Sequence, residues 1–188
     1  MKKYFLLAAM MYLCLGTVSA LTSAFDVGIG SGYVFYGNTV TKNRIDALDD
    51  PAQIVLQVSA AYKIRIAEPL WISIGADTAV DFRWSDGDHV HLFDYAGLLG
   101  MQVYPGLAGL VFGVDYALGR RTDFYRLNGG SHTDSSHWGN GFKISILYDF
   151  FYQSEKKVRP LAGIAWRRMP RGGGADNILS VFLKLTIQ

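Results

Sequence analysis

The stretch LWISIGADTAVDFRW, residues 70–84, decides the fold. Leu70, Ile72, Ile74, Ala76, Val80, Phe82 and Trp84 occupy one set of alternate positions, and Ser73, Gly75, Asp77, Asp81 and Arg83 occupy the other, interrupted only by Trp71. Alternation with period two puts the two sets on opposite faces of a strand, whereas a helix of period 3.6 would mix them.

The same alternation recurs outward in both directions, making eight segments in all. Before it come Phe25 to Tyr36, where Phe25, Val27, Ile29, Tyr33 and Phe35 oppose Asp26, Gly28, Gly30 and Gly32, and Ile54 to Arg65, where Ile54, Leu56, Val58, Ala60, Tyr62 and Ile64 oppose Gln57, Ser59, Ala61, Lys63 and Arg65. After it come Phe93 to Val103, with Asp94, Ala96, Gly100 and Gln102 on the polar face, and Leu110 to Gly119, with Gly113, Asp115, Ala117 and Gly119. Phe142 to Phe150 follows with Lys143, Ser145 and Asp149 on that face, then Val158 to Arg167 with Arg159, Gly163, Ala165 and Arg167, and finally Ile178 to Ile187 with Ser180, Lys184 and Thr186. Connections alternate between long and short: Gly37 to Ala52, Ser85 to His89, Arg120 to His137 and Met169 to Asp176 are the longer ones, while Ala67-Glu68-Pro69, Pro105-Gly106 and 153–157 are tight. That is a meander with one long-loop rim and one short-turn rim, both termini lying at the short-turn rim.

The orientation of the faces follows from volume. Eight strands closed into a barrel leave an interior just wide enough for a modest filling of side chains, and about five bulky apolar groups per strand cannot fit there. The small and charged face therefore points inward and the apolar face outward, opposite to a secreted lipocalin-type barrel. An apolar exterior suits lipid, where a closed barrel pairs every backbone group. The sequence thus predicts an all-β, eight-stranded antiparallel up-and-down transmembrane β-barrel. Aromatics near strand ends fit interfacial girdles: Phe35, Phe82, Trp84, Phe93, Tyr95, Tyr116, Trp138, Phe142 and Trp166 at the long-loop rim, and Phe25, Tyr62, Tyr104, Tyr148, Phe150 and Tyr152 at the other. Tyr95 to Val114 carries no charge and is long enough for a membrane-spanning helix, but Pro105-Gly106 at its centre favours a hairpin.

Met1-Lys2-Lys3, the apolar run Tyr4 to Leu15 and the small residues Val18-Ser19-Ala20 form a secretory signal peptide, residues 1–20, with a second cleavage point after Ala24; residues 21–188 form the barrel domain. Setting Lys2 and Lys3 aside leaves 16 basic against 16 acidic residues, too balanced for a nucleic-acid footprint. The only cysteine, Cys14, lies in the signal segment, so the mature chain has neither a disulfide nor thiol chemistry.

Inward charges sort by height into an upper tier, Asp81, Asp94 and Asp115 with Arg83, Lys143 and Arg167, and a lower tier, Asp26 and Asp149 with Lys63, Arg65, Arg159 and Lys184. Between them lie mostly small or polar residues such as Gly30, Gly32, Gln57, Ser59, Asp77, Leu98, Gly113, Ser145 and Ser180. Near balance of sign predicts cross-barrel ion pairs and a plugged lumen; the rival reading is a narrow polar passage with the upper tier as its gate. Ser131, His132, Asp134, Ser135, Ser136 and His137 crowd one loop, but nothing rigid holds a base against a nucleophile there, so neither an enzyme nor a catalytic residue is expected. His89 and His91 share a strand face without a third ligand, and no metal or cofactor is expected.

Over its mature length the chain resembles the small eight-stranded outer-membrane barrels of the OmpA transmembrane domain, OmpX and OmpW types, in architecture, strand number, signal peptide and girdles. It ends Leu183-Lys184-Leu185-Thr186-Ile187-Gln188 without the terminal aromatic usual in that group, as a divergent member would. The resemblance implies an outer-membrane location in a diderm bacterium, a monomer in contact with outer-membrane lipid, and a structural role or contacts with host or environmental surface ligands through the long loops. Its alternative is an OmpW-like channel for small or apolar molecules.

Overall fold

A computed structural model of the chain describes residues 22–188 apart from 153 and 155, so the signal peptide at residues 1–20 lies outside the described residues. Nine strands form: β1 (Ser23–Phe35), β2 (Ala52–Ala67), β3 (Leu70–Ser85), β4 (Asp88–Val103), β5 (Leu110–Leu127), β6 (Gly130–Ser135), β7 (Gly139–Asp149), β8 (Val158–Arg171) and β9 (Gly174–Ile187), with one helix, α1 (Thr39–Asp46). Eight of them close an antiparallel barrel in the order β1-β2-β3-β4-β5-β7-β8-β9, and β9 pairs back onto β1. Partners followed once around the barrel lead from Phe25 through Tyr62, Ile74, Leu99, Tyr116, Phe142, Arg168 and Asn177 back to β1 at Phe35, a stagger of ten residues. Such shear tilts the strands and sets the narrow bore of an eight-stranded barrel.

Burial follows the alternation read from the sequence. On β3 every second residue from Trp71 to Arg83 points inward, Trp71 included. Outward residues are mostly apolar and exposed, up to 63% for Ile74 and 65% for Val181, a surface that water-soluble proteins do not present over a whole barrel. The uncharged run around Pro105-Gly106 is the β4–β5 hairpin, and among the described residues no helix is long and apolar enough to cross a membrane.

The long-loop rim differs from expectation. Arg120 to His137 is not a loop: β5 continues to Leu127, turns at Asn128-Gly129 and returns as β6, a hairpin standing above the barrel wall. Ser85 to His89 reduces to a two-residue turn at Asp86-Gly87, and Met169 to Asp176 to one at Gly172-Gly173, since β4 starts earlier and β8 and β9 run longer than read. Asp86 and Asn128 take φ of 41° and 52°, followed by Gly87 at 90° and Gly129 at 79°, the paired positive values that match a two-residue turn to the twist of its strands. At this rim only Gly37 to Ala52 remains a long connection, and it contains α1, whose first turn is capped by the Asn38 side chain accepting from the amides of Val40 at 2.8 Å and Thr41 at 3.4 Å.

The interior also holds more apolar bulk than expected. Near the short-turn rim Trp71, Tyr104, Val111, Leu147, Leu161 and Phe182 pack with Ala24 and Ala165, so Tyr104 and its stacked neighbour Tyr152 turn into the mouth and do not join the girdle. Under the long rim, Val34, Tyr36, Leu48, Val55, Val90, Leu92 and Ile178 pack together, with Ile45, Tyr125 and Leu127 against them.

Candidate functional site

The lumen is where charge concentrates, and it is built in three levels. At the lowest, Lys63 is wholly buried and donates to Asp26 at 2.9 Å, Thr186 at 3.2 Å and Gln102 at 3.4 Å; Thr186 in turn donates to Asp26 at 2.6 Å, and Lys184 lies 3.4 Å from the other Asp26 oxygen. Arg159 pairs with Asp149 at 3.3 Å. Arg65 leaves this group, pairing at the mouth with Glu68 at 3.1 Å.

Above this level is a cavity of about 20 Å³ bordered by Ser59, Ser73, Gln102, Ser145, Phe182 and Asp115, room for about one water. Asp115 forms no ion pair among the described residues. A Cβ at Gly100 would sit 1.9 Å from its Oδ1, so the carboxylate occupies space that only glycine leaves free. Lys143, its register partner across β5 and β7, reaches instead to Asp77 at 2.8 Å.

From Asp77 upward the charges form one chain of alternating sign. Asp77 also accepts from Gln57 at 2.8 and 3.0 Å and lies 3.7 Å from Arg167; Arg167 pairs with Asp94 at 2.5 Å; Asp94 with Arg171 at 2.6 Å; Arg171 with Asp176 at 2.9 Å. Arg121 then joins Asp176 at 2.5 Å to Asp123 at 2.6 Å and donates to Thr41 of α1 at 2.6 Å. Arg44 of α1 stands 3.7 Å from Asp123, bonds Asp134 on β6, and lies 4.1 Å over the Tyr125 ring. Beside this chain, Asp81 accepts from Arg83 at 3.1 Å, Tyr36 at 2.9 Å and Gln53 at 3.0 Å. Ions removed from water are tolerable only with such partners, because an isolated buried charge costs several kcal/mol, about as much as a domain can spare.

Of the six charges assigned to an upper tier, the structure brings Asp94, Lys143 and Arg167 together through Asp77, sets the Asp81–Arg83 pair higher, and leaves Asp115 at the central cavity. Sequence reasoning missed Arg44, Arg121, Asp123, Arg171 and Asp176. Four of these were legible in principle: Arg121 and Asp123 continue the inward alternation beyond Gly119, Arg171 continues it beyond Arg167, and Asp176 precedes Ile178 and Ser180 in the same phase.

The Ser and His residues near the rim have other partners. On β6 Asp134 accepts from Tyr125 at 3.1 Å and from Arg44, and the Arg44 guanidinium holds its carboxyl below the usual carboxylate range. His132 stacks on Tyr125, and Ser136 donates to the His137 carbonyl. His89 and His91 stack with ring centroids 4.5 Å apart on the outer face of β4, and no cluster of three metal-ligating side chains occurs among the described residues.

No family model matches the sequence, and no curated protein matches it. Solved structures do match by fold. Neisserial surface protein A superposes with a TM-score of 0.52 at 11% identity, over 87% of this chain and 96% of that one. Ail, the attachment invasion locus protein of Yersinia pestis, superposes with a TM-score of 0.57 at 8% identity over 88% of this chain and 97% of that one, and 0.58 at 9% identity in its complex with the heparin analogue sucrose octasulfate, over the same shares. The chain therefore has the fold of the small eight-stranded outer-membrane β-barrels.

Proposed function

We infer that the chain is a non-enzymatic integral barrel of the bacterial outer membrane, exported by the signal peptide at residues 1–20, whose lumen is plugged by ion pairs and whose long rim contacts surface ligands. The observation that carries this is one combination: an apolar exterior on all eight barrel strands around an interior where charge alternates in sign from Lys143 to Asp123 and continues through Arg44 to Asp134 at the rim, with an apolar cluster at each end and a central cavity of about 20 Å³. At the level of Asp115 the lumen has room for about one water, too little for a hydrated ion or a metabolite to pass while the pairs hold. Cleavage after Ala20 keeps Ser23 and Ala24, which pair with Ile64 and Lys63 in β1; cleavage after Ala24 would remove both. The complex of Ail, a barrel of the same fold, with a heparin analogue supports a ligand-binding role, which we assign to the rim built from α1 and the β5–β6 hairpin.

The test is single-channel conductance of the refolded protein in a planar bilayer, with heat-modifiable gel mobility as proof of folding. Folded, silent protein is the expected result. Discrete openings whose size changes in Arg83→Ala or Lys143→Ala would overturn the plug and establish the narrow passage instead.

A further inference from the structure

The outward positions on the eight barrel strands are almost all uncharged. Only three carry a full charge, Arg120 and Arg126 on β5 and Arg168 on β8; all are arginines, all lie towards the long rim, and no carboxylate faces outward beside them. None takes part in the ion pairs described above. The apolar belt also ends at different heights. On β1 to β4 it continues up to Phe35, Ile54, Phe82 and Phe93, but on β7, β8 and β9 it stops at Phe142, Trp166 and Leu179, followed outward by Asn140, Arg168 and Asn177. Arg168 pairs in register with Phe142 and Asn177, and Asn177 with Phe35. With the tilt that this shear imposes, each step around the wall climbs about 3 Å, so Arg168 sits about 6 Å below Phe35, inside the aromatic belt. It is flanked by the edge-to-face pair Phe142–Trp166, and Arg120 by Tyr95, which packs against Trp138.

We propose that the β5–β7–β8–β9 face binds the phosphate of an anionic outer-leaflet lipid through Arg120 and Arg168, with the Asn140 and Asn177 amides as further donors; this rests on the membrane reading above. Neither guanidinium has a carboxylate partner among the described residues, and although the Arg120 Nε donates to the Ser136 carbonyl at 3.1 Å, its two terminal nitrogens remain for a ligand. Such groups set into an apolar wall are stabilised where they can reach up to a headgroup phosphate, which they bind in bidentate fashion. Aromatic pairs beside them hold that wall at the interface. Arg126 lies six residues further along β5, about 15 Å higher on the barrel, clear of the headgroups.

The experiment reconstitutes the full mature protein in phosphatidylcholine vesicles containing a small fraction of spin-labelled phosphatidic acid or spin-labelled phosphatidylcholine, and reads the motionally restricted fraction of each. Phosphatidic acid is expected to be preferred, with the preference falling roughly fivefold for each of Arg120→Gln and Arg168→Gln, the effect of one arginine at a charged surface, and holding in Arg126→Gln. Millimolar inorganic phosphate in the buffer is expected to leave the preference intact; its abolition would mean a free-phosphate site and overturn the lipid assignment. Inserted, heat-modifiable protein without preference, or with one that survives both substitutions, overturns it too. Protein that folds but does not insert overturns the membrane reading itself.

Discussion

Replacing Arg167 by Met is expected to cost about 3 kcal/mol of barrel stability, the low end of the range for breaking a buried ion pair. The side chain is 1% exposed and lies between Asp94 at 2.5 Å and Asp77 at 3.7 Å. Its loss leaves two buried carboxylates, but neither is stranded, since Arg171 stays 2.6 Å from Asp94 and Lys143 stays 2.8 Å from Asp77. Met keeps much of the aliphatic volume, so the cavity contribution is small. Adding Asp94→Leu removes the charge that Arg167 balanced most closely, and the two single losses should exceed the double by about 1–3 kcal/mol. The assay is reversible urea unfolding of the refolded barrel in lipid vesicles, followed by tryptophan emission and by gel mobility, with coincident midpoints required before a free energy is extracted. A loss within about 0.5 kcal/mol, as for an ordinary surface change, or strict additivity in the cycle, would refute the view that the chain of charges holds the lumen closed.

Three further outcomes follow from the geometry. In single-tryptophan variants, lipid-borne bromine should quench Trp166 strongly and Trp71 hardly at all, because Trp71 faces the lumen at 5% exposure; equal quenching would invert the assignment of faces. Gly163→Ala should destabilise by about 1–3 kcal/mol, since a Cβ there would lie 2.1 Å from the Ile146 carbonyl oxygen and β7 cannot move away; unchanged urea midpoints would contradict that packing. The Asp134 carboxyl, held below its usual range by Arg44, should titrate at lower pH than an unpaired aspartate. The depressed value means that its tie to α1 is present above the ordinary carboxylate pKa and is lost as pH falls through the folded one; Arg44→Gln should raise the NMR midpoint, and an unmoved midpoint would show that Arg44 is not the cause.

The barrel was legible because period-two alternation is written separately into each strand and needs no knowledge of the neighbours. It faded where the wall rises above the apolar belt. Beyond Leu118 the outward residues of β5 are Arg120, Thr122, Phe124 and Arg126, so inward and outward no longer differ in polarity, and a strand pair reads as a polar loop. Met169 to Asp176 fails in the same way, with Pro170 outward and Arg171 inward. Helix α1 gave no signal for a different reason: eight residues with Val40 and Ile45 as their only large apolar side chains form no stripe, and the helix is held by the Asn38 cap and by Arg44 and Thr41 reaching tertiary partners.

In the lumen the sequence could say which charges point inward but not which ones meet, because partners across a bore are set by shear and tilt, not by position along a strand. Asp115 makes the point. Its nearest cation by register is Lys143 on the adjoining strand, yet Lys143 crosses to Asp77, sixty-six residues away on β3, and Asp115 is left at the cavity. Arg167 on β8 likewise reaches Asp94 on β4 with two strands between them. A register slip of one residue would send every inward charge to the lipid face, and a slip of two would restore the faces while re-pairing the ions. Alternation excludes the first slip but not the second. The alternating chain from Lys143 to Asp134 therefore has a role that the apolar wall cannot supply: of the registers the hydrophobic pattern tolerates, it favours the one in which every link has an opposite charge beside it.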